Sequence, residues 1–173
     1  MKSKQLSFFA PVELRHGGEI RKGKRKIARP IDTKRPMHIV LRARKARGVW
    51  SFLHKNNKGI IALLLVEVAE RFGVKILRYE NVGNHIHLLA TVKKRKALQN
   101  FLRVFPQKVM FAVTGAKKGD PKGKFWDSLV FTRVIHWGKE YHRHIKDYFW
   151  KNRMEALGFK RDLLKDWWTI PIG

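Results

Sequence analysis

The stretch VKILRYENVGNHIHLLATV, residues 74–92, decides the fold. Val74 to Tyr79 is β-prone, Asn81-Val82-Gly83-Asn84 is turn chemistry, and His85 to Val92 is a second β-prone run. Together they read as a β-hairpin. Upstream of it, Leu53, Ile60, Leu63, Leu64, Val68 and Phe72 recur at helical spacing, and Gly73 is a good helix stop. The spacing predicts a helix over about Val49 to Phe72, with a bend where Asn56-Asn57 and Gly59 weaken its start. Before that lies a first strand, His38 to Ala43. Downstream, Leu98, Phe101, Leu102, Phe105, Val109 and Val113 predict a helix over about Arg95 to Val113, which Pro106 should kink or split. A basic loop follows at Gly115 to Lys124, then a fourth strand at Val130 to Ile135. A final helix spans Lys139 to Leu157, stopped by Gly158.

The order β-α-β-β-α-β-α places the chain in the α+β class. Its first six elements match the ferredoxin-like split βαββαβ arrangement, an antiparallel sheet with helices on one face. The other face is left for function, and the C-terminal helix follows it. Three segments are expected: a basic N-terminal arm at 1–36, a main domain at 37–158 and a tail at 159–173. The arm holds 11 Lys and Arg against 3 acids, with Gly17-Gly18, Gly23, Pro11 and Pro30 and no periodicity. It is expected to be flexible until it meets a partner. The tail carries Trp167-Trp168.

Composition narrows the partners. Thirty-nine Lys and Arg against 13 Asp and Glu give +26 over 173 residues, a charge that calls for a polyanion. With 44% apolar residues the chain can bury a core. The longest apolar run, Ile60 to Val66, is too short to span a bilayer, and the start has no apolar stretch of signal-peptide length. The absence of Cys excludes disulfides, thiolate metal sites and Cys nucleophiles. A cytoplasmic protein that faces nucleic acid, and is nucleoid-associated when bound to it, is the expectation, with no membrane partner.

The most informative triplet is His85-Ile86-His87. On a strand, residues i and i+2 share a face, so both imidazoles project together and begin a divalent-metal site. With 8 His in 173 residues, roughly 0.4 such triplets arise by chance, so the triplet needs company. A second one, His142-Arg143-His144, falls in a helix, where i and i+2 diverge. The company comes from the final helix. Tyr148 and Asn152 are i and i+4, so a phenol able to attack phosphorus stands on the same helix face as an amide oxygen able to complete a metal shell. Tyr141 lies seven residues earlier and roughly shares that face, but its i+4 neighbour is Ile145, which cannot ligate. Glu67, Glu70 and Glu80 form no carboxylate pair by spacing and read as a solvated face. His38, His54 and His136 have no evident partner. No phosphate-binding glycine loop and no Ser-nucleophile motif is present.

These residues resemble the single-tyrosine HUH transposases, in particular the REP-associated tyrosine transposases. Asn84-His85-Ile86-His87-Leu88-Leu89 matches that family's Asn-His-hydrophobic-His-Leu-Leu strand. His38 to Ala43 resembles its first strand. Tyr148-x-x-x-Asn152, followed by Glu155-Ala156, resembles its Tyr-Ile-x-x-Asn-Pro helix. The resemblance covers roughly residues 37–158, with Phe149 in place of the usual Ile and Arg153 in place of the usual Pro. It implies a transposase and endonuclease that cuts and rejoins single-stranded or hairpin DNA in transposition and recombination. His85, His87 and Asn152 would hold Mg²⁺ or Mn²⁺. Tyr148 would be the nucleophile that forms a 5′-phosphotyrosine. Relatives include monomers and dimers, so the resemblance allows a homodimer.

The basic loops supply candidate DNA contacts: Arg42, Arg44, Lys45 and Arg47 in one, Lys117, Lys118 and Lys122 in the other. Trp50, Trp126, Trp150, Trp167 and Trp168 are candidates for base stacking, with core packing the better reading for all but the last two. Two other readings are a non-catalytic nucleic-acid-binding module on the same fold and a domesticated hairpin-processing relative with the same chemistry. A binder gives the His-x-His strand and the Tyr-x-x-x-Asn helix no reason to coexist.

Overall fold

The computed structural model describes residues 14–21, 23, 25, 27–117, 119 and 123–159. In chain order the elements are β1 (Arg15–His16), β2 (Met37–Arg42), α1 (Lys55–Phe72), β3 (Val74–Asn81), β4 (His85–Val92), α2 (Arg95–Thr114), β5 (Phe131–Val134), α3 (Lys139–Arg143) and α4 (Trp150–Ala156). The strands form one sheet in the order β1-β5-β2-β4-β3, every neighbouring pair antiparallel. The four strands β5-β2-β4-β3 give the expected ferredoxin-like arrangement. β1 is an addition at the β5 edge.

The hairpin that decided the reading is anchored at its turn. Asn81 Nδ2 donates to Phe52 O (2.7 Å), Gly83 N donates to Asn81 Oδ1 (3.0 Å), and Phe52 N donates to Gly83 O (2.7 Å). The turn is thereby tied to the segment that leads into α1. That segment is the correction to the expected long helix: Gly48–Trp50 is a short 3₁₀ turn, and α1 begins at Lys55, capped by the His54 ring accepting from Asn56 N. α1 ends at Gly73, whose φ of 66° suits a residue without Cβ. Pro106 neither splits nor ends α2, which runs through it.

Alternation along the strands sorts side chains onto two faces. Met37, Ile39 and Leu41 of β2 and Ile86, Leu88, Ala90 and Val92 of β4 face α1 and α2, where they meet Ile61, Leu65, Val68, Leu98, Phe101 and Phe105. This is the main core. The opposite face holds a smaller cluster of Leu89, Ile135 and Phe149, with Leu77, Tyr141 and Tyr148 packed against it. Leu77 lies on that face by ordinary alternation, and a register irregularity between Ile76 and Arg78 keeps Arg78 there too, opposite Leu89.

Two further expectations change. The final helix is not one α-helix: residues His144–Phe149 form a π-helical turn between α3 and α4. Part of the expected arm is folded. Arg15–His16 pair with Arg133 and Thr132, Ile31 is buried, and Arg29 donates to Val130 O (2.8 Å) and Thr132 Oγ1 (2.7 Å). Burial holds the Arg29 guanidinium below its usual value. Among the described residues no helix is long and apolar enough to cross a membrane.

Candidate active site

The sheet face opposite α1 and α2 brings His85, His87 and Tyr148 together. His85 and His87 project from the same side of β4, with ring centroids 4.7 Å apart. His87 is buried and His85 half-buried. The Nδ1 of His85 is hydrogen-bonded to Asn84 Oδ1. Because a carboxamide oxygen only accepts, that nitrogen carries the proton, and the lone pair of the neutral ring lies on Nε2. His87 Nδ1 lies 3.2 Å from Nε2 of His38, a residue of β2 that is 2% exposed. A His87 that donates in this bond keeps its lone pair on Nε2.

His38, which the sequence reading left without a partner, is held among these side chains. Its register position, opposite Leu89, makes it a diagonal cross-strand neighbour of His87. Its ring also meets the Tyr148 ring edge-on at 4.8 Å and Phe149 at 5.8 Å. Tyr148 in turn stands 5.3 Å from the His87 ring. The tyrosine of the last helix therefore packs directly on the two-histidine strand. The π turn and α4 bury Phe149 and Asn152 while leaving Tyr148 half-buried. Tyr141 packs on the same small cluster from α3.

Asn152 is 1% exposed, yet neither its Oδ1 nor its Nδ2 has a hydrogen-bond partner. A buried amide left unmet costs about 1–3 kcal/mol. Among the described residues no third His, Asp or Glu joins His85 and His87 within metal-binding range. Asn152 lies four residues beyond Tyr148, and an amide oxygen is chemically suited to a hard divalent cation.

The surroundings are basic. Arg42 lies opposite His85, Arg133 opposite His38 and Arg78 opposite Leu89 on this face. Glu80, paired across from His87, is the exception to the expected solvated face, since it is half-buried. Burial pushes its carboxyl up, and the charges of Arg153 and Arg78 oppose that rise. Arg153, which stands where the resembled family carries Pro, thus faces an acid on β3.

The proposed DNA contacts divide. Arg42 and Arg44 are exposed and share Asp127, at 3.9 and 3.3 Å. Lys45, Arg47 and Lys117 are exposed. The second loop comes close to the first, because a methyl group placed on Gly123 would stand 3.9 Å from Lys45 Nζ. Lys118 and Lys122 lie outside the described residues, as do Trp167 and Trp168. Trp50 and Trp126 pack on the main core, whereas Trp137, absent from the sequence candidates, is exposed.

With that geometry in view, the comparisons fall into place. Residues 33–152 match the family model described as "Transposase IS200 like", a span from just before β2 to Asn152. A solved structure of a candidate transposase from Deinococcus radiodurans R1 is similar at a TM-score of 0.44 and 16% identity, covering 75% of this chain and 98% of that one. No curated protein matches the chain.

Proposed function

From the premise that the chain belongs to the IS200-like transposase family, we propose that it cuts and rejoins single-stranded DNA through a covalent link to Tyr148. The observation that carries this reading is the orphaned, buried amide of Asn152, four residues beyond a tyrosine that packs on His87. His85 and His87, through Nε2, and Asn152, through Oδ1, would hold Mg²⁺ or Mn²⁺. When bound, the ion supplies charge neutralisation at the scissile phosphate.

The rest of the chemistry belongs to the chain. Asn84 and His38 fix the ring orientation and tautomer of His85 and His87 from behind. The small cluster of Leu89, Ile135 and Phe149 seats the tyrosine against the strand. The Tyr148 phenol gives up its proton and attacks the phosphorus, forming a Tyr–O–P bond. The P–O3′ bond breaks, and the leaving 3′ oxygen takes a proton. The products are a 5′-phosphotyrosine and a free 3′-OH. Rejoining is the reverse step with a second 3′-OH, which returns the proton to Tyr148 and needs no nucleotide triphosphate. Arg42, Arg44, Lys45, Arg47 and the 117–122 loop would bind backbone phosphates, so binding weakens as salt rises.

Covalent capture tests the reading. The protein is incubated with labelled single strands from the flanks of its own gene, with Mn²⁺ or with chelator, and run on a denaturing gel. A metal-dependent adduct is expected, absent from Tyr148→Phe and from His85→Ala. An adduct that survives Tyr148→Phe would move the nucleophile to Tyr141. Tight, salt-sensitive binding with no adduct on any flanking sequence would leave a non-catalytic binding module.

A further inference from the structure

Trp137 lies on the connection between β5 and α3 and is 51% exposed. It is held in place. Its indole N–H donates to Lys34 O (2.8 Å), and Ile135 N donates to Pro36 O (2.8 Å). Arg35, between those two anchor points, bonds the His136 ring through Nη1 at 3.0 Å and Asp32 through Nε at 2.7 Å. The Tyr141 ring backs the indole at 4.7 Å, tilted by 49°. A large aromatic side chain is thus fixed, half open and buttressed by a second ring, an arrangement that folding alone does not require.

The setting says what could lie on it. Lys34, whose carbonyl holds the indole, and Lys139, two residues along the chain, are exposed, and Asp32 is engaged by Arg35. A fixed aromatic ring within a cationic field is the pattern that receives a base while the neighbouring phosphates meet the charges. Tyr141, which supports the ledge, packs on the same small cluster as Tyr148, so the ledge and the nucleophile border one patch. We infer that Trp137, backed by Tyr141, is a stacking ledge for an unpaired base of the DNA strand held at Tyr148. The inference rests on the single-strand reading above and adds a residue that selects unpaired over paired DNA, since a base inside a duplex has no open face to offer.

The test is binding, read by fluorescence anisotropy of labelled single strands and of the matching duplex, with Trp137→Ala and Trp137→Phe. Stacking on one ring is worth about 1–3 kcal/mol per base. Trp137→Ala should therefore bind single strands about 5- to 150-fold more weakly. Trp137→Phe loses the Lys34 tether but keeps a ring, and should keep most of the affinity. The slope of log affinity against log salt should stay unchanged, because no phosphate contact is lost. One abasic position in the strand should weaken wild type and leave Trp137→Ala indifferent. Single-strand binding within twofold of wild type, or an equal loss for duplex and single strand, would overturn the ledge and leave the Tyr148 chemistry standing. Wild type that binds no single strand at any salt would overturn both. If Trp137→Ala instead lost binding to vesicles containing phosphatidylserine while keeping its DNA affinity, the ring would be a membrane contact and the inference would fall.

Discussion

Replacing His38 with Phe isolates the contribution of one hydrogen bond to the candidate metal centre. His38 is fully enclosed, its ring lies nearly parallel to that of His87 at 5.5 Å, and the Tyr148 ring meets it edge-on at 4.8 Å. A phenyl ring keeps the aromatic contacts but removes Nε2, the atom 3.2 Å from His87 Nδ1. The partner that holds His87 with its lone pair on Nε2 is then gone. Loss of such a support costs about 10- to 100-fold in metal affinity, and the missing buried hydrogen bond about 1–3 kcal/mol of stability. His38→Gln places an amide oxygen where Nε2 was and should recover much of the affinity. Isothermal titration with Mn²⁺ reads binding directly, and the rate of adduct formation at saturating Mn²⁺ reads chemistry. Weakened titration with a near-normal rate at saturation is expected, because the orientation of a ligand has been lost and the nucleophile has not. A folded His38→Phe that binds Mn²⁺ within about twofold of wild type, or a Gln variant no better than Phe, would refute the tautomer argument.

Gly17→Ala should destabilise the protein by about 1–3 kcal/mol in a urea melt, because Gly17 has a φ of 79° and an added Cβ would sit 2.0 Å from Val130 O. Asp32→Asn should lose stability near neutral pH. Burial opposes ionisation of Asp32, but hydrogen bonds from the Lys34 and Arg35 backbones and the Arg35 guanidinium outweigh it and hold the carboxyl low. The wild-type advantage should be complete above the unfolded carboxyl value of about 3.9 and disappear as pH falls through the lower folded value, read as converging melting temperatures. Glu80→Gln in metal-free protein should shift the other way. The Glu80 carboxyl is raised chiefly by burial, so its ionised form disfavours folding. The variant should melt higher than wild type at neutral pH, and the gap should close once the solution is more acidic than about 4.3.

Much of the fold was legible because its elements carry their own periodicity. The hairpin at 74–92, the Gly73 stop and the strand at 37–42 each follow from local pattern. Legibility failed where the deciding contact is between elements. His38 gains its meaning only once β2 pairs with β4 in the register that sets Val40 against His87. The two-residue β1 has no alternation to detect, and Arg15–His16 reads as part of a basic arm until Thr132 and Arg133 receive it. The π turn at His144–Phe149 leaves no mark in composition, because an i→i+5 turn uses the same residues as an α-helix. The i,i+4 spacing of Tyr148 and Asn152 is plain in the sequence, but the burial of Asn152 and its unmet amide are not. Trp137 was not among the sequence candidates, and its tether to Lys34 O comes from a distant part of the chain that no local pattern reveals.

The two apolar clusters on opposite faces of the sheet differ greatly in size, and that difference sets two thresholds of integrity within one molecule. The histidine-bearing strand is the back of the main core, so its amides should exchange only with global unfolding. The tyrosine-bearing segment is sealed by Leu89, Ile135 and Phe149 with their half-buried neighbours, each fully buried side chain contributing about 1.5–3 kcal/mol. Its amides should therefore exchange with solvent through local openings well below the global unfolding free energy. On the proposed chemistry, moderate heat or denaturant would silence strand cleavage while DNA binding persists, and a force on the last helix would switch that chemistry without dismantling the sheet beneath it.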